Sequence, residues 1–131
     1  MRYIVLAGRV LFALIFIFAA PRHFSHEGIQ HAADLGTPLA GVLVPLSGLM
    51  AILGGLSVAI GYKAKWGAWL LVAFLVPVTL VMHSFWRVED PALRRVQVSM
   101  FGKNLSMLGS ALLLTQFGAG PLSVDEKEKR S

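Results

Sequence analysis

The chain has 131 residues, of which 56% are apolar and 15% charged, with a mean hydropathy of +0.68. A soluble domain carries about 25% charged residues, so this composition excludes a water-soluble shell. The absence of cysteine excludes disulfides and thiolate metal sites, and the net charge of +5 is scattered over loops and ends with no basic stripe to hold nucleic acid.

The charges are segregated along the chain. Tyr3 to Pro21 contains only Arg9, Leu35 to Tyr62 and Trp66 to Trp86 contain none, and Val96 to Val124 contains only Lys103. A helix needs roughly 20 mostly apolar residues to cross the hydrocarbon core. Each run meets that length or nearly so.

The first predicted helix covers residues 3–20 and is stopped by Pro21. It resembles a signal peptide, but Phe18 is bulky where a small residue is wanted and a proline follows Ala20. It therefore reads as a retained span. A polar connection follows, with His23, His26, Glu27, His31 and Asp34, and its middle can form a short interfacial helix. The second helix, 39–60, contains Pro45 and places Ser47, Ala51, Gly55 and Ala59 on one stripe, a device for close helix approach. The third, 65–86, contains Pro77 and has Trp66 and Trp86 at its two ends, at headgroup level. The fourth, 93–116, repeats the small-residue device with Gly102, Ser106 and Ser110.

Short loops make successive helices antiparallel neighbours. The expected fold is an all-α, antiparallel bundle of four transmembrane helices over residues 1–120, with a short, charged, frayed cytoplasmic tail at 121–131. Arg2, Lys63, Lys65, Lys127, Lys129 and Arg130 fall on one side, and Arg22, Arg87, Arg94 and Arg95 on the other. That bias favours both termini in the cytoplasm.

The alternating topology brings His23, His26, His31 and His83 to one end of the bundle, with Glu27, Glu89, Asp90, Trp86 and Gln97. His23, His26 and Glu27 do not form a recognised ligand spacing, so no metal site is assigned. His83, one turn before the loop, and Gln97, one turn after it, are expected at equal depth and turned toward each other, because polar residues in a span face the bundle interior. Arg9 and Lys103 are the two charges inside apolar spans. Arg9 can snorkel to the nearer surface. Lys103 lies eight residues past Arg95, about 12 Å along a helix. With Asn104 it either donates to a carbonyl-bearing ligand such as a quinone, between walls from Phe85, Trp86 and Phe101, or makes a structural hydrogen bond to a neighbouring helix.

Met82-His83-Ser84-Phe85-Trp86, Glu89-Asp90-Pro91-Ala92, Gln97, Phe101-Gly102-Lys103-Asn104-Leu105 and Leu108-Gly109-Ser110-Ala111-Leu112-Leu113 resemble the C-terminal half of the DoxX family. Arg9, Phe12, Phe16 and Phe18 in the first helix and Leu53-Gly54-Gly55 in the second agree more loosely. The His-rich Arg22-His23-Phe24-Ser25-His26 departs from the family pattern. The resemblance implies a plasma (inner) membrane protein, associated with quinone as a subunit of a redox complex with a partner protein and without independent enzymatic activity. Lys103, Asn104, Gln97, His83 and Trp86, with Arg9, form the candidate cofactor-binding set. The competing readings are a non-enzymatic membrane scaffold or assembly factor, possible as a homo-oligomer in the bilayer, and a small transporter.

Overall fold

The computed structural model describes residues 1–131. Every regular element is helical: α1 (Arg2–Ala19), α2 (His26–Asp34), α3 (Ala40–Ile60), α4 (Ala64–Met82), α5 (Pro91–Phe117) and α6 (Val124–Arg130), with 3-10 turns at Ala20–Phe24 and Phe85–Arg87. The first, second, third and fourth predicted helices correspond to α1, α3, α4 and α5. Three helical segments are long and apolar enough to cross a membrane: Arg2–Phe24, Ala40–Ile60 and Ala64–Arg87. The expected fourth span, α5, is not among them. Helix α5 is the longest, at 27 residues, but Arg94, Arg95, Gln97, Lys103 and Asn104 interrupt it and keep it out of that set.

Side-chain caps set several helix starts. The Ser25 hydroxyl accepts from the Gly28 N–H and starts α2; the Asp90 carboxylate accepts from the Leu93 N–H and starts α5, with Pro91 in the first turn. Gly61, at φ 74°, ends α3 in the left-handed region. The residues between α1 and α3 fold back: the 3-10 turn and α2 lie on α3, where Ala32 packs against Ala40 and Val44.

The helices pack in the series α1–α3–α4–α5. Ala13 and Phe16 of α1, Ala51 and Val58 of α3, Ala68, Leu71, Phe74 and Leu75 of α4, and Ala111 of α5 make one core. The expected small-residue stripe of α3 does face a neighbour. A Cβ on Gly55 would come within 3.1 Å of Ile17 of α1, and Ala51 is fully buried. The adjoining face of α3 meets α4 equally closely: a Cβ on Gly54 would lie 2.8 Å from Leu71 and 2.9 Å from the Gly67 carbonyl oxygen. Helix α5 differs. Only Asn104, Ala111 and Thr115 of its residues are buried, and Gly102 and Gly109 look out on open space.

Candidate functional site

The end of the bundle formed by the α4–α5 connection assembles much of the predicted polar group. His83 Nδ1 lies 2.9 Å from Gln97 Oε1. An amide oxygen only accepts, so Nδ1 carries the proton in this contact. Beside it, Phe85, Trp86 and Phe101 pack edge to face, with ring centroids 5.2, 5.3 and 6.0 Å apart. The expected meeting of His83 with Gln97 and of the three aromatic rings is what the fold contains.

One turn deeper the predicted donors separate. Asn104 is 5% exposed, and its Nδ2 donates to Thr79 Oγ1 of α4 at 3.0 Å. Lys103 is exposed, and its side chain takes part in no hydrogen bond or ion pair. Adjacent residues of a helix are turned about 100° from each other, so Asn104 enters the α4–α5 seam while Lys103 leaves it. The two do not converge on one ligand. Of the histidines, His23 bonds Ser47 of α3 through Nδ1 at 2.9 Å. No cluster of His and acidic residues could hold a metal ion.

Arg9 is far from this group, at the end of the bundle that carries both termini. It is 4% exposed. Its Nη1 donates to the carbonyl oxygens of Ala119 (2.6 Å) and Pro121 (3.3 Å), Nη2 to that of Leu122 (2.8 Å) and Nε to that of Ala59 (3.3 Å). The guanidinium thus ties α1 to the end of α3 and to the connection between α5 and α6. The tail is not frayed but docked. Asp125 accepts from the N–H groups of Lys63 (2.7 Å) and Ala64 (3.0 Å), capping the start of α4. Glu126 accepts from the Leu122 N–H at 2.8 Å and from Arg2 and Arg130. The Leu122 N–H, reinforced by the positive charges of Arg130 and Arg2, holds the Glu126 carboxyl below the usual glutamate range. Sequence reading missed this closure because most of its partners are main-chain groups; the Gly118-Ala119-Gly120-Pro121 turn was its only trace. Two grooves also lie at this end. One, about 520 Å³, runs along Ser57, Tyr62, Lys63, Trp66, Trp69 and Leu70.

A family model, the SURF4 family, matches residues 1–131. The chain belongs to the SURF4 family. It is 35% identical over 129 residues to the Surfeit locus protein 4 homolog of Schizosaccharomyces pombe, covering 97% of this chain and 38% of that protein. It is 39% identical over 71 residues to the ER-derived vesicles protein ERV29 of Saccharomyces cerevisiae, covering 54% of this chain and 23% of that protein. It is also 26% identical over 126 residues to the inner membrane protein YphA of Escherichia coli, covering 95% of this chain and 89% of that protein. The chain thus spans well under half the length of the two yeast relatives. No solved structure matches it at a significant level.

These matches correct the DoxX assignment. The motifs that carried it, from His83-Ser84-Phe85-Trp86 to Lys103-Asn104-Leu105, belong to a SURF4-family chain. The quinone-associated redox subunit and its redox partner protein fall with the DoxX resemblance on which they rested. So does the plasma-membrane compartment, which rested on the same resemblance; the relatives include an ER-derived vesicles protein and an inner membrane protein.

Proposed function

We propose that the chain is a non-enzymatic, multi-pass membrane scaffold that works by binding, as part of a receptor for cargo proteins in vesicle traffic. ERV29 is named as a protein of ER-derived vesicles, and the family membership brings that setting to this chain. The state of the polar groups is the observation that carries the non-enzymatic reading. No buried side-chain nitrogen or oxygen lacks a hydrogen-bond partner. Arg9, His23, Thr79, His83, Gln97 and Asn104 are engaged with one another, with the Ser47 hydroxyl or with main chain. Such groups hold helices together and leave little with which to do chemistry.

In this reading α5 is a fourth span. At 1.5 Å per residue its 27 residues extend about 40 Å, more than the roughly 30 Å hydrocarbon core. Parity supports the count. Three crossings would leave the chain ends on opposite sides, yet Arg2 Nη2 lies 3.4 Å from Glu126 Oε2, and Asp125 caps α4 at Lys63 and Ala64. The chain returns from the far end of α4 along α5.

The test is purification from the native membrane after mild crosslinking, followed by identification of what is attached. A reproducible set of secreted or membrane proteins, attached in stoichiometric yield, is expected. A redox cofactor retained in stoichiometric amount, with turnover by the isolated chain, would overturn the reading.

A further inference from the structure

Lys103 is the one charge in the chain that the bundle leaves without an explanation. It lies 12 residues after Pro91 and 14 before Phe117, about 18 and 21 Å from the two ends of α5. Taking α5 as a span, as proposed above, that is close to the middle of the hydrocarbon core. A lysine stem reaches only about four methylenes toward the surface, and a lysine at mid-helix costs about 2.5–3.5 kcal/mol on insertion scales. The neighbouring Asn104 turns inward and is satisfied by Thr79. Lys103 turns outward, exposed and unpaired.

The surface around it is a run of small residues. Ser99, Gly102, Ser106 and Gly109 are all exposed and lie on one face beside Lys103. A Cβ on Gly102 or Gly109 would meet nothing, whereas one on Gly54 or Gly55 would meet α4 or α1. Nothing within the chain occupies the space that these small residues leave.

Charge decides what can fill it. The acids of this chain are Glu27, Asp34, Glu89, Asp90, Asp125, Glu126 and Glu128, and all lie in the connections or the tail. A second copy would therefore bring no carboxylate to the depth of Lys103. Lipid phosphates stay at the headgroup level, roughly 15 Å from the midplane. We infer that the outer face of α5 receives a transmembrane helix from outside these 131 residues, one with an aspartate or glutamate at mid-membrane depth that pairs with Lys103. Gly102, Ser106 and Gly109 let that helix approach closely, which brings the two charges together and excludes lipid from around them.

The chain lacks cysteine, so single cysteines give a clean test in reconstituted vesicles. Ser106→Cys is combined in turn with leucine helices of about 20 residues, each with a central cysteine next to one aspartate, leucine or lysine. The aspartate helix is expected to form the disulfide at least five times faster than the other two. Lys103→Leu should abolish that difference, and Lys103→Glu should transfer the preference to the lysine helix. Equal rates for all three helices would overturn the inference. So would efficient disulfide formation between two Ser106→Cys copies that the aspartate helix does not displace, because the face would then belong to a homodimer. Lys103→Cys separates this from the fourth-span reading. Its labelling by aqueous maleimide in intact vesicles would refute the span and with it the inference; a shielded cysteine with equal rates would refute the inference alone.

Discussion

Two buried polar residues illustrate different ways of holding a membrane helix in place. Asn104 uses one side-chain hydrogen bond, to Thr79. Such bonds average about 0.6 kcal/mol in membrane proteins by double-mutant cycle, with a maximum near 1.7. Asn104→Ala and Thr79→Val are therefore each expected to destabilise the fold modestly, and the double variant by less than their sum, read in detergent or bicelle unfolding. Additive losses would show that the two groups are not coupled. Arg9 uses four carbonyl oxygens at once. Hydrogen bonds to a charged group contribute about 1.5–3 kcal/mol each, without simple addition. Arg9→Met should lower the melting temperature well beyond the Asn104 variant and raise hydrogen exchange in residues 118–126, and Arg9→Lys should restore only part. At this scale the sequence was legible where side chain meets side chain. His83 and Gln97 could be paired by depth and polarity alone. The partners of Arg9 could not be read, because a carbonyl oxygen is present at every residue and leaves no mark in the sequence. Lys103 and Asn104 part for a reason already in the helix geometry: consecutive residues are turned about 100° from each other.

Among the elements, α3 and α5 carry the same small residues to opposite effect. Gly54 abuts the Gly67 carbonyl, which is main chain and cannot swing aside. Gly54→Ala should cost about 1–3 kcal/mol as overpacking. Gly102→Ala and Gly109→Ala meet open space and should leave the isolated chain unchanged or more stable by up to about 1 kcal/mol, through helix propensity. Comparable losses at all three positions would mean that α5 is packed on both sides. Helix α6 responds to acid instead. Glu126 has its carboxyl depressed on folding, so the contribution of docking is full above the ordinary glutamate pKa of about 4.3 and is lost as the pH falls through the lower folded value. Exchange of the α6 amides should rise in that acid window, and Glu126→Gln should show the raised exchange already at neutral pH. The sequence showed α5 as an element but misjudged its surroundings, since periodicity tells which residues share a face and not whether another helix covers it.

For the whole molecule, the all-helical, membrane-crossing character followed from the segregation of charge, and the bundle order from short connections. The family did not follow. Short blocks such as Lys103-Asn104-Leu105 are a few residues long and serve local packing, whereas the SURF4 match draws on residues 1–131. The chain's two ends offer the most direct check of the architecture. Single cysteines at Tyr3→Cys and Ser131→Cys should react with an impermeant reagent from the same side of sealed vesicles. Reaction from opposite sides would leave three spans and detach α6 from α1.

The Arg9 closure also has a history in time. The guanidinium enters the membrane within α1, and its nearest acceptor, the Ala119 carbonyl, is joined to the chain 110 residues later. At about 5–20 residues per second, synthesis of that interval takes roughly 5–20 s. For those seconds at most one of the four carbonyl ligands of Arg9, that of Ala59, has been made, and the charge must otherwise be sheltered by water, headgroups or the insertion machinery. A chain that stops after Phe117 never ends that wait. It leaves the arginine of α1 on the Ala59 carbonyl alone, so the turn that follows α5 completes α1.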